Sequence, residues 1–272
     1  MEIQLGRFPA QFEQPEPVKF AWPILLLPEL FTTTRHLRPL AGYLATIGWE
    51  VYSVDLRGAA GQYPTPALSR LGFDDFLALA AEVLGAIGRD SVVLGHGIGG
   101  LIALKLAERA GVKAAVAYAP PVPGFTSPLT AGFANRIAAW RGGPLRPPTG
   151  RTLAQFVAGA EPLMRDAIIR ALVPDSLALP SEIARGEIKF QAVAAPPRLV
   201  VAGDSDIFAP LEKMRAWAEP LSAALAVVPG RGHWLIGGRA LERAIRETQR
   251  FLVRALGRDL LLLYEERPPE ES

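Results

Sequence analysis

Val92-Val93-Leu94-Gly95-His96-Gly97-Ile98-Gly99-Gly100 is the stretch that decides how this chain folds. An apolar run of strand length ends in alternating glycines, and a helical pattern begins near Ile98 with no loop between them. Glycine supplies the unusual backbone angles and the close approaches that such a corner needs. The stretch therefore predicts a buried strand turning sharply into a helix.

Working outward, short apolar runs alternate with longer helical patterns. Strands are predicted at residues 18–27, 49–54, 91–95, 114–118, 198–202 and 224–228, and helices at 35–47, 73–87, 98–110, 211–218 and 239–256. Several strands lack polar alternation, as expected of parallel strands covered on both faces. The pattern predicts an α/β protein with a mostly parallel, twisted sheet flanked by helices. Between Pro120 and Pro197 the rhythm changes to a proline-broken, arginine-bearing helical region. The expected division is a core of residues 1–120 and 193–264, a helical cap of residues 121–192, and a solvated, disordered tail of residues 265–272.

Composition narrows the functional classes. The chain has 272 residues, half of them apolar, enough for one sizeable core. Its formal charge of +2 gives no reason to expect a nucleic-acid partner. With no cysteine, disulfides and thiolate chemistry are excluded, and the three histidines (His36, His96, His233) have no metal-ligand spacing. Glycines 95, 97, 99 and 100 do not make a dinucleotide fingerprint, so no cofactor is expected. No secretory leader is visible, and the apolar run at residues 24–27 is too short to span a bilayer. A cytoplasmic protein with a small-molecule ligand or substrate is expected; nothing indicates an oligomeric state.

Four segments together resemble the α/β-hydrolase superfamily, over roughly residues 18–256. Residues 51–58, ending Asp55-Leu56-Arg57-Gly58, resemble its strand ending in Asp-x-Arg-Gly. Residues 95–100 resemble its nucleophile elbow, residues 199–210 the strand and loop that supply an acid, and Pro229-Gly230-Arg231-Gly232-His233-Trp234 the histidine loop. The resemblance makes His233 the general base and Asp206 the carboxylate that orients it, with Asp204 a rival for that role. It makes the amides of Ile98 and Leu30 candidates for an oxyanion-hole-like pair. His96, Phe31, Phe125, Trp140 and Trp234 are candidate pocket residues, and Phe133, Phe156 and Met164 of the cap either line the pocket or pack the cap. Asp55 and Arg57 are expected to hold a turn, His36 to start a helix and His96 to pack the elbow.

Two features depart from the family pattern. Gly97 stands where the elbow carries its nucleophilic serine, and losing such a nucleophile costs on the order of 10⁶ in turnover in one serine protease. The loop after the first predicted strand reads Leu27-Pro28-Glu29-Leu30 instead of His-Gly. If Glu29 turns inward as a carboxylate, it opposes an oxyanion about 4 Å away by about 4 kcal/mol; if it faces solvent or caps the helix near Arg35, it has no part in chemistry. Three functional readings follow. The chain is an enzyme without a covalent step, with His233 as base and Glu29 as a second acid or base. Alternatively it is a non-catalytic binding protein, a pseudo-hydrolase. Alternatively it is an ordinary serine esterase or lactonase carrying an engineered Ser-to-Gly change.

Overall fold

The computed structural model describes residues 1–57, 65–130, 142–191 and 196–261. Its centre is one eight-stranded sheet built from β1 (Glu2–Leu5), β2 (Phe8–Glu13), β3 (Ile24–Leu27), β4 (Val51–Val54), β5 (Ser91–His96), β6 (Val112–Tyr118), β7 (Arg198–Gly203) and β8 (Ala224–Val228). The spatial order is β1-β2-β4-β3-β5-β6-β7-β8. The pairs β1–β2 and β2–β4 are antiparallel, and every other pair is parallel. All residues of β3, β5 and β7 are buried, which is why their sequences run apolar without alternation.

Helices cover the sheet. α1 (Thr34–Thr46) packs on β4, the short α2 (Thr65–Leu68) precedes α3 (Phe73–Ile87), α3 packs on α4 (Ile98–Leu106), α4 on β5 and β6, and α8 (Leu211–Ala218) on β7 and β8. The long C-terminal helix Gly238–Leu256, here α9, packs on β6, β7 and β8. Its buried residues Ala240, Leu241, Ala244, Ile245, Thr248 and Leu252 repeat at helical spacing and form one stripe. Thr248 joins that stripe to the sheet by a 2.8 Å hydrogen bond to the Tyr118 hydroxyl at the end of β6. The mostly parallel sheet flanked by helices is the architecture that the sequence predicts.

The details differ in three places. Residues 18–23 leave the predicted first strand, because their backbone bonds go elsewhere: Lys19 N–H donates to Gly48 and Ala21 N–H to Leu260. The hairpin β1–β2 was not foreseen; it turns through Gly6 (φ 59°) and pairs Leu5 with Phe8 at the sheet edge. Between β6 and β7 the helices are short: α5 (Gly150–Phe156), a 3₁₀ turn at Pro162–Met164, α6 (Arg165–Arg170) and α7 (Ala178–Arg185). The predicted tail at 265–272, together with Phe133 and Trp140, lies outside the described residues.

Candidate functional site

The corner between β5 and α4 is built on glycine. Gly97 sits at φ 52°, ψ −120° as the residue preceding α4, a conformation that an L side chain rarely adopts. A Cβ built there would coincide with Oε2 of Glu29. Gly99 matters for a second reason. A side chain on it would run into the carbonyls of Leu27 and Pro28, so glycine lets the loop after β3 lie directly on the start of α4.

That loop carries Glu29, and its path explains where the carboxylate goes. Phe31 adopts φ 66°, a left-handed conformation that a bulky residue holds only when its surroundings impose it. Both of its backbone groups are held by the segment before α7. Its N–H donates to Asp175 at 2.9 Å, and its carbonyl accepts from the N–H of Val173 at 2.9 Å. Arg57 completes the clamp, bonding Asp175 (2.6 Å), Asp55 (2.8 Å) and the carbonyl of Thr32. Burial draws the Arg57 guanidinium toward losing its proton, but the Asp175 and Asp55 charges outweigh it and the pKa rises. So Asp55 and Arg57 do hold a turn, and through Asp175 they also tie it to the segment between β6 and β7. The loop's own turn bonds, Thr32 N–H and hydroxyl to the Glu29 carbonyl, close the curl.

Held this way, Glu29 points inward. Oε1 accepts from the N–H of Leu30 at 2.5 Å, and Oε2 lies 3.2 Å from Nε2 of His233. The Glu29 side chain neither reaches solvent nor caps α1, whose N-terminus is closed by His36: Nδ1 accepts from the Thr33 N–H at 2.9 Å. His36 Nε2 then donates to the carbonyl of Ile168 in α6 at 3.1 Å. With Nδ1 an acceptor and burial lowering its pKa, His36 is a neutral linker.

His233 stands between two carboxylates. Its Nδ1 is 2.8 Å from Oδ2 of Asp206, while Oδ1 of Asp206 accepts from the N–H groups of Phe208 (2.8 Å) and Ala209 (3.1 Å). Glu29, Asp206 and His233 are 3%, 5% and 4% exposed, so water does not screen them. Burial disfavours the charged imidazole, but Asp206 and Glu29 outweigh it through charge and hydrogen bonding, and the pKa rises to about 10. At neutral pH that leaves His233 an imidazolium between the Asp206 and Glu29 side chains. The base that the resemblance implied, His233, is therefore already protonated. Asp204, the rival acid, lies at the exposed turn and bonds the Gly230 N–H and Ser205.

Around this cluster, His96 is fully buried and donates from Nε2 to the carbonyl of His233 at 2.9 Å. Burial and the neighbouring His233 charge hold it neutral, with a pKa near 4. Its Nδ1 has no hydrogen-bond partner among the described residues. Phe156 of α5 packs on both His233 and Trp234, and Phe208 edges against the His233 ring.

A small, partly open cavity of about 30 Å³ lies above the cluster, lined by Glu29, His233, Leu30, Ile98, Phe125, Phe208, Ile183 and further residues of the segment after β6. Phe125 thus faces it as expected. Phe31, His96 and Trp234 do not: Phe31 is turned into the core by its clamp, and the other two pack behind His233. Met164 is on the surface. The Leu30 amide, an expected oxyanion donor, is occupied by Glu29. Asp175 was not singled out from the sequence; no local pattern marks an acid that acts on a loop 144 residues away.

Among the described residues no group of three or more His, Cys, Asp or Glu could hold a metal ion, and no helix is long and apolar enough to cross a membrane.

Comparison with known proteins gives the following. A model described as the alpha/beta hydrolase family matches residues 21–246. Similar solved structures include a malate-bound thermophilic esterase from Thermogutta terrifontis, with TM-score 0.66, 19% identity, and coverage of 92% of this chain and 98% of that one. A carboxylesterase from the ammonia-oxidizing thaumarchaeon Nitrososphaera gargenis gives TM-score 0.68 at 16% identity, covering 91% and 94%. The thioesterase domain from the curacin biosynthetic pathway gives 0.63 at 17%, covering 93% and 98%. At these identities the likeness is one of fold. No curated protein matches the chain by sequence search.

Proposed function

The chain belongs to the alpha/beta hydrolase family, and from that premise we propose that it acts on a small, mostly apolar molecule by proton transfer through Glu29 and His233, without a serine ester intermediate. The observation that carries this reading is the Glu29 carboxylate seated in the side-chain space over Gly97, within 3.2 Å of His233 Nε2. In this reading Gly97 stands where relatives carry the nucleophile, and Glu29 has taken over the space. Glu29 is the base and the His233 imidazolium the acid, reversing the role first given to His233. Asp206 holds the imidazole in position and supports its charge. In this reading the described part of the segment between β6 and β7, which gives Phe125, Leu129 and Ile183 to the cavity wall, serves as a cap.

Acyl transfer is disfavoured on two grounds. The hydroxyl is missing, and an anionic Glu29 opposes an oxyanion in this corner while occupying the Leu30 amide. The mutual fit of Gly97 and Glu29 also weighs against an engineered substitution, since a serine at position 97 has no room while Glu29 is in place.

The test is a mass-spectrometric depletion screen of small apolar compounds with the unaltered chain, Glu29→Gln and His233→Ala, alongside a fluorophosphonate probe. A compound consumed by the unaltered chain and slowed about 10²-fold or more by either substitution is expected, with no labelling. Labelling, or ester turnover indifferent to Glu29→Gln, contradicts the proposal. The pseudo-hydrolase reading draws on one observation, the imidazolium pinned between two carboxylates; it stands if a ligand binds and no product forms.

A further inference from the structure

We propose that the cavity above Glu29 takes a small molecule with an apolar body and a protonated amine, and excludes carboxylates. This deepens the acid–base reading and rests on Glu29 being the group that faces the ligand.

The inference comes from counting donors and acceptors at the cavity floor. A pocket that holds a carbonyl or carboxylate oxygen must present N–H groups to it. Here the Leu30 amide and the side of His233 carrying Nε2 both meet the Glu29 carboxylate, while Ile98, whose amide opens α4, also lines the cavity. A carboxylate has about four lone-pair positions, so Glu29 keeps acceptor capacity after these two bonds. It lines the main cavity together with a second one on its other side, bordered by Asp55, Arg57 and Asp175. Beside the Ile98 amide, the floor therefore offers the Glu29 carboxylate where it would otherwise offer the Leu30 and His233 donors.

Charge points the same way. Two carboxyl groups, of Glu29 and Asp206, flank the single imidazole of His233, and among the described residues no lysine or arginine lines the main cavity. The second cavity adds Asp55 and Asp175 against Arg57 alone. A cationic head group completes this balance, whereas a carboxylate adds like charge in a poorly screened place. The walls suit the rest of such a ligand. Leu30, Ile98, Leu129 and Ile183 are aliphatic, and Phe125 and Phe208 are aromatic.

The experiment is calorimetric titration of the full chain at pH 7.5 with three probes of equal length: pentylamine, 1-pentanol and pentanoate. Pentylamine is expected to bind about tenfold or more tighter than 1-pentanol, equal to about 1.4 kcal/mol, with pentanoate weakest. In Glu29→Gln, of nearly the same shape, the amine advantage should fall to about threefold or less. Pentanoate binding as well as pentylamine, no saturable binding of pentylamine, or an amine advantage that survives Glu29→Gln each overturns the proposal. The unaltered chain alone decides the first two if the variant does not fold. Amine selectivity with no compound ever consumed removes the acid–base function and leaves the ligand class standing. Glu29-dependent turnover with pentanoate preferred removes the ligand class and leaves the function.

Discussion

Gly97 and Glu29 form one unit, because the carboxylate fills the volume that a side chain at position 97 would need. Gly97→Ser should therefore be costly twice over. Overpacking contributes about 1–3 kcal/mol, and a side chain at φ 52° adds on the order of 1–3 kcal/mol of backbone strain. Removing the carboxylate in Glu29→Gly relieves the first cost and leaves the second. A double-mutant cycle read by urea unfolding should give a coupling of about 1 kcal/mol or more; additive effects would separate the two residues. For the same reason, Gly97→Ser alone should leave p-nitrophenyl butyrate hydrolysis near background. A large gain in that assay would instead favour the engineered-serine reading. From the sequence, Gly97, Glu29, Asp206 and His233 could all be named, but the direction of Glu29 could not. It depends on the φ of Phe31, which residues far along the chain impose.

At the level of elements, the site depends on the loop after β3 being tied to the segment before α7. Asp175 is the knot, accepting from Phe31, Arg57 and Ser176. Burial raises its pKa while the adjacent Arg57 charge works to lower it. Asp175→Asn keeps the shape and removes the charge, leaving Arg57 with Asp55 only. Breaking a buried pair of this kind costs about 3–5 kcal/mol, and denaturant unfolding should show a loss of that order. Amide exchange at Phe31 and Val173 should accelerate with it; a change under about 0.5 kcal/mol would mean the clamp is incidental. Local signals explain which elements were foreseen. The predicted helix at 73–87 matches α3, because its apolar spacing is strong and glycines bound it. The β1–β2 hairpin, with its modest alternation of buried and exposed residues, was passed over. Of the short helices between β6 and β7, α6 buries no residue and so shows no apolar face to read, and α7 stops at Gly186 in the left-handed conformation.

Taken whole, the molecule places the buried cluster of Glu29, His233 and Asp206 beside the buried Arg57–Asp175 pair at the end of a largely apolar sheet, and its stability should carry that signature. The folded-state pKa of His233 lies above its ordinary value of 6.5, at about 10. The stabilisation is therefore complete below about 6.5 and is lost as pH rises toward about 10, with a slope of at most about 1.4 kcal/mol per pH unit. Urea midpoints should fall across that window in the unaltered chain and fall less in Glu29→Gln; identical profiles would remove Glu29 from the cluster. The fold was legible because alternation of strand and helix is a property of every local window. The site was legible only as a set of residues, since its protonation and its donor count arise from contacts between distant loops.

The central claim is that His233 is an imidazolium held between Glu29 and Asp206, and nitrogen-15 NMR of the His233 ring tests it most directly. Both ring nitrogens should report protonation at pH 7.5, with titration only at alkaline pH and a clearly lower midpoint in Glu29→Gln. A neutral ring at pH 7.5, with an unprotonated Nε2 indifferent to Glu29→Gln, would contradict it.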